Sequence, residues 1–291
     1  DFDPQKIHGR LGVGFQGEGY VDASFNTGWE PYSPLNGELY THISSLFWME
    51  LFSPDLVRPR GVIRGHMSLR GTRSQPLMQG QLLLEDFTGE LPALGLSLVD
   101  GSGSVDAQAD GSARISASVG TGGAGKLHVD GSLSWFGQAT PLQLHIHGQD
   151  VRIADTPMLT ATANPDLRFS MDGPPMVLRG QVDVTAATLN VERFEQGVSV
   201  SEDVVVLDPV DPEEQRSAPL DMDLTLVLSN DVTVTGYGMT GTMNGRLQVV
   251  SRPGHEMRGT GALQIGGRCH SCKKAIAAYK EKDQAQASVI D

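Results

Sequence analysis

Residues 220–228 alternate strictly: Leu220, Met222, Leu224, Leu226 and Leu228 fall on one face of an extended chain, and Asp221, Asp223 and Thr225 on the other. Successive side chains of a β-strand point to opposite faces, so this segment has one greasy side and one wet side. The pattern recurs. Leu142, Leu144 and Ile146 stand against Gln143, His145 and His147, and Ala113, Ile115, Ala117 and Val119 stand against Arg114, Ser116 and Ser118. A loose Gly-x-apolar-x-apolar signature starts at Gly9, Gly65, Gly80, Gly125, Gly131, Gly180, Gly245 and Gly261, which places a glycine turn before successive strands. Its irregular spacing departs from the fixed period of leucine-rich or propeller repeats, so the expectation is successive strands of one growing sheet.

Composition agrees. The chain has 291 residues with 35 glycines, 16 prolines and only 6% aromatics, which favours many strands and turns over a core of large fillers. The fold class expected is all-β, elongated and mostly antiparallel. Two segments interrupt the alternation. Ser44 to Phe52 packs Leu46, Phe47, Trp48, Leu51 and Phe52 into nine residues ahead of Ser53-Pro54, which predicts a short helix or buried turn plugging one end of the sheet. Asp208 to Pro219, rich in proline and acid, predicts a solvated loop, and Ala275 to Tyr279 predicts a helical turn in the C-terminal tail.

A net charge of -13 repels nucleic-acid phosphate, so no nucleic acid is expected as a partner. The chain lacks the roughly 18 to 20 consecutive apolar residues of a membrane-spanning helix and reads as a soluble piece of something longer. Both cysteines, Cys269 and Cys272, sit in a terminal stretch with Lys273, Lys274, Lys280 and Lys282, whereas Lys6 and Lys126 are the only lysines before Gly267.

Motifs that would carry chemistry fail on context. Gly120 to Lys126 resembles a phosphate-binding loop, but Leu127 stands where Ser or Thr should hold magnesium, and a strand pattern follows where a helix is required. Gly12, Gly14 and Gly17 spell a dinucleotide fingerprint, also without the helix. His145 and His147 share a strand face but have no further ligand at suitable spacing, and Cys269-His-Ser-Cys272 is a lone pair where structural zinc takes four ligands. No catalytic residue, metal or cofactor is expected, and the chain reads as non-enzymatic.

From about Trp48 to Gly267 the sequence resembles the carboxy-terminal region of the TamB family of AsmA-like proteins. The resemblance rests on Trp48 to Leu56, on Asp150 to Phe169 with its Asn164-Pro-Asp-Leu-Arg168, and on Gly180 to Leu189. It continues through Val198 to Asp208, Asp231 to Gly241 and Gly259 to Ile265. It implies a sheet folded lengthwise into a half-pipe, a β-taco with an apolar groove. It also implies a place in the periplasm of a Gram-negative bacterium, anchored in the inner membrane in the full-length protein by a segment absent from this chain. The function implied is to move phospholipid between inner and outer membranes within the translocation and assembly module, with the outer-membrane barrel protein TamA as partner. On that reading Leu142, Leu144, Ile146, Val182, Val184, Met222, Leu224, Leu226 and Leu228 line the groove and hold phospholipid acyl chains.

Two alternatives accompany it. One is a scaffold that accepts strands of TamA or of nascent outer-membrane proteins at an open sheet edge. The other, from composition alone, is a secreted β-rich adhesin-like passenger. After Gly267 family members continue with an aromatic and glycine strand, where this chain has its cysteine- and lysine-rich tail. The expected division is therefore a β-rich domain over 1–267 and an atypical tail over 268–291, the latter implying a frameshift, truncation or fusion.

Overall fold

The computed structural model of the chain describes residues 6–15, 19–51, 53, 55–135, 141–191, 220–236, 239–255 and 257–269. They form one 15-stranded sheet. In chain order the first strands are β1 (Lys6–Phe15), β2 (Gly19–Gly28), β3 (Asn36–Ser45), β4 (Val57–Gly71), β5 (Pro76–Leu91), β6 (Leu96–Gln108), β7 (Ser112–Gly120) and β8 (Lys126–Ser134). There follow β9 (Leu142–Gly148), β10 (Val151–Asp155), β11 (Leu159–Met171), β12 (Met176–Asn190), β13 (Leu220–Gly236), β14 (Met239–Ser251) and β15 (Arg258–Cys269). Two short 3-10 turns, η1 (Phe47–Leu51) and η2 (Pro92–Leu94), sit in connections on the same rim of the sheet.

Apart from β9 and β10, which both pair with β11 and not with each other, consecutive strands pair, antiparallel throughout except for β12 and β13, which run parallel. The chain is thus all-β, elongated and mostly antiparallel, as the alternation predicts. β9 and β10 lie in tandem along β11: β9 pairs with residues 166–171 and β10 with residues 160–163. The sheet curls at this point. β10 approaches β6 and η2 although β7, β8 and β9 come between them in strand order, and Leu96, Val151 and Ala154 are buried there.

The glycine signature has a different meaning from the expected one. Gly9, Gly65, Gly80, Gly131, Gly180, Gly245 and Gly261 all lie inside strands, and only Gly125 lies in a connection. These glycines mark bends within strands. At Gly80 (φ 144) and Gly180 (φ 145) a methyl group would run into the carbonyl oxygens of His66 and Asp166 on the adjacent strand. Only a residue without Cβ permits that approach, and glycine kinks of this kind give a long sheet its curvature.

Burial is sparse for a chain of this size. Among the described residues fourteen hydrophobic side chains are buried, nine of them in three clusters of three, each drawn from neighbouring strands and their connections. The expected plug at 44–52 is η1, with Leu46 only 1% exposed against Leu56 and Phe87. Strands expected at 113–119, 142–146 and 220–228 are β7, β9 and the first half of β13. The predicted loop at 208–219, the predicted helical turn at 275–279, and Gly17 and Cys272 lie outside the described residues.

Candidate functional site

Alternation within a strand decides which residues share a face, and register decides which of them meet across strands. In this sheet the two agree along its whole length. One row passes through ten strands as Leu11, Ala23, Leu39, Met67, Gly80, Ala107, Ala113, Leu133, Leu142 and Met171. The next passes through Ile115, Gly131, Leu144, Phe169, Leu178 and Met222. A third joins Ala117, Val129, Ile146, Leu167, Gly180, Leu224 and Val249. Two more contain Pro165, Val182, Leu226 and Leu247, and Ala163, Val184 and Leu228. No charged residue occurs in any of these rows.

The nine residues singled out from the sequence therefore occupy a single continuous patch of one face. Val184 is 8% exposed and packs with Ala163 and Val232, while Val182 and Leu228 lean on that cluster. Leu142, Leu144, Ile146, Met222, Leu224 and Leu226 are half-buried and belong to none of the three clusters. Apart from sheet neighbours, the substantial approaches between described elements are confined to η1 on β4 and β10 on β6 and η2. These six side chains thus stay half-buried and outside the three buried clusters.

Sequence reasoning missed several members of the same face: Val129, Leu167, Phe169, Leu178, Leu247 and Val249. Their signal was present. Leu167, Phe169 and Met171 alternate with Arg168 and Ser170, and Leu247 and Val249 alternate with Arg246, Gln248 and Val250.

The opposite face carries the charge. Hydrogen bonds and ion pairs cross from strand to strand: Arg10 to Asp22 at 2.9 Å, Arg64 to Glu85 at 3.2 Å, Arg179 to Asp221 at 2.9 Å, and Gln248 donating to Asp223 at 2.8 Å. His145 and His147 share this face, as their spacing predicts, with ring centroids 4.6 Å apart. His145 bonds Asp166 at 2.8 Å and His147 bonds Asp130 at 3.1 Å, and with His128 they line a polar depression of about 560 Å³. The bond from His147, then that from the Ser116 hydroxyl, hold the Asp130 carboxyl below its ordinary value. No group among the described residues has the geometry to hold a metal ion.

The two glycine-rich motifs are placed by the sheet as well. Gly12 and Gly14 lie in β1 opposite Asp22 and Tyr20, and residues 120–125 join β7 to β8, so neither leads into a helix. No helix among the described residues is long and apolar enough to cross a membrane. A family model described as the TamB C-terminal domain matches residues 112–268, more than half of the chain. No solved structure matches it.

Proposed function

The chain belongs to the TamB family, and from that premise we propose that its apolar face is a trough that carries phospholipid acyl chains through the periplasm between inner and outer membranes. The family consists of bacterial envelope proteins of the translocation and assembly module, transport and assembly components that work with an outer-membrane partner. What supports the lipid reading is the continuity of uncharged rows of half-buried apolar side chains that belong to none of the three buried clusters. At about 4.8 Å per strand, fourteen strands abreast give a trough of roughly 60 Å. A bilayer leaflet has about 15 Å of hydrocarbon, so several acyl chains fit in file. Each methylene removed from water contributes about 0.8 kcal/mol, and no polar contact is needed to hold a chain. Because the rows hold no charge to pair with phosphate, the headgroup stays in water at the rim. The trough therefore selects for hydrocarbon and not for a headgroup.

The test is to purify the protein from bacteria and identify bound lipid by mass spectrometry after solvent extraction. Phospholipid at one or more molecules per chain supports the conduit; protein that emerges lipid-free and takes up none from vesicles refutes it.

A second reading is favoured by β15, which among the described residues pairs only with β14 and leaves Leu263 44% and Ile265 74% exposed. An uncovered strand edge is a template for another strand. TamA or a nascent outer-membrane protein would then add a strand there. Crosslinking from Gln264 to a barrel strand, abolished by Ile265→Pro, is the result that reading requires.

A further inference from the structure

We infer that η1 is a built-in stopper, lying on the same apolar floor that the trough offers to acyl chains, so that hydrocarbon over β3 to β6 and η1 exclude each other. The inference rests on the acyl-chain reading above. Ile43, Ile63, Leu84 and Gly103 are successive cross-strand partners, and Gly103 pairs with Ala117, so they belong to the row that continues to Ile146 and Leu224. At its far end this row, with Ile146 and Leu224, is half-buried and belongs to no buried cluster. At its near end Trp48 and Met49 of η1 pack into the cluster formed by Leu46, Leu56 and Phe87, together with Ile43, Ile63 and Leu84. One floor thus carries η1 at one end and only half-buried side chains outside any buried cluster at the other.

The cover is attached in a way that allows it to leave. Its backbone hydrogen bonds are internal: Met49 N–H to the Leu46 carbonyl at 2.9 Å, Ser53 N–H to Met49 at 3.0 Å and Leu56 N–H to Ser53 at 3.0 Å. A polar tie joins it to the sheet, and an ion pair between β4 and β5 braces the residue that makes it. The Glu50 carboxylate accepts the backbone N–H of Arg58 at 2.7 Å, and the Arg58 guanidinium pairs with Glu90 of β5. Arg58 holds a left-handed backbone, φ 53, which non-glycine residues adopt rarely and at a conformational cost. The outer side of the turn is apolar too, with Phe47 60% and Leu51 78% exposed. A turn with greasy residues on both sides is as well suited to lying against hydrocarbon at the rim as to covering the floor.

The experiment measures palmitate bound per chain at saturation in delipidated full-length protein, compared with Trp48→Ala/Met49→Ala and with Glu50→Ala. The first variant strips the cover from the floor, and the second removes only the tie at Arg58. β3 to β6 are four of fourteen strands abreast, so capacity rises by roughly two-fifths when the floor is cleared. Circular dichroism checks that each variant is folded, and if the double variant is not, Glu50→Ala decides. Palmitate that loads wild type and folded variants equally overturns the stopper and leaves the conduit standing. Wild type that binds none while a variant binds supports the stopper. If no form binds palmitate, both ideas fall.

Discussion

Leu226→Asp puts a carboxylate in the middle of the apolar floor, between Val182 and Leu247 across the strands and between Leu224 and Leu228 along its own. An acyl chain lying there loses the cover of about three methylenes, about 2.4 kcal/mol or roughly 60-fold in affinity, before any desolvation of the carboxylate is counted. Protein stability responds differently. Leu226 is only half-buried, so the carboxylate keeps water, and the loss is that of lateral packing, about 1 to 2 kcal/mol. In a sealed core the same change would strand a charge and remove 4 kcal/mol or more. Two measurements separate the cases: urea midpoints of delipidated protein, and lipid content by mass spectrometry. Thr225→Asp, which adds the same charge to the polar face one residue away, is the control and leaves both unchanged. An unfolded or severely destabilised Leu226→Asp means that something covers the floor, and a folded variant with wild-type lipid content means that acyl chains do not lie there.

Other substitutions probe the frame. Gly180→Val forces a side chain into the Asp166 carbonyl at a positive φ and is expected to destabilise the sheet by about 2 kcal/mol or more, read from the shift in urea midpoint; a neutral result refutes the close approach. Leu46→Ala removes the most deeply buried side chain under η1 and is expected to lose about 2 to 5 kcal/mol in the same assay, whereas a loss under 1 kcal/mol would show that the cluster is loosely packed. The Asp130 carboxyl is held below 3.8 in the folded chain, so its contribution to stability is complete above that value and disappears as pH falls through the folded value. His147→Ala removes the principal cause, and NMR titration should show the Asp130 value moving up toward 3.8; an unmoved value would assign the shift elsewhere.

Alternation made the strands and the apolar face legible because both depend on the period-2 pattern of a single segment. Leu220 to Leu228 needed no tertiary information to be assigned one wet and one greasy side. Register was not legible, since nothing local states that Leu224 meets Gly180 and Val249. For the same reason Phe169 and Leu178 were missed although they lie between residues that were named: their membership depends on β11 sitting between β9 and β12. The glycines misled for a physical reason. A glycine with φ near 145 inside a long strand and a glycine in a turn have the same sequence neighbourhood, and only the close approach of the next strand distinguishes a bend from a turn.

Bending and openness follow from one choice of residues. A flat sheet with an apolar face would be covered by a second sheet of large aromatic and branched side chains, and this chain has few of them. Glycine within the rows, as at Gly80 and Gly180, lets adjacent strands approach closely, and half-buried leucines shelter one another laterally. Charge pairs such as Arg179 with Asp221 and Arg64 with Glu85 tie the strands on the wet side, where each exposed pair adds no more than about 1 kcal/mol. The fold is therefore held mainly by its hydrogen-bond ladder and by lateral packing, and the acyl-chain reading proposes that the apolar face takes up hydrocarbon. On that proposal lipid stabilises the folded sheet by mass action, so delipidated protein should melt below the loaded form, with the difference growing as lipid concentration rises. Identical melting with and without lipid would mean that the face contributes nothing to binding.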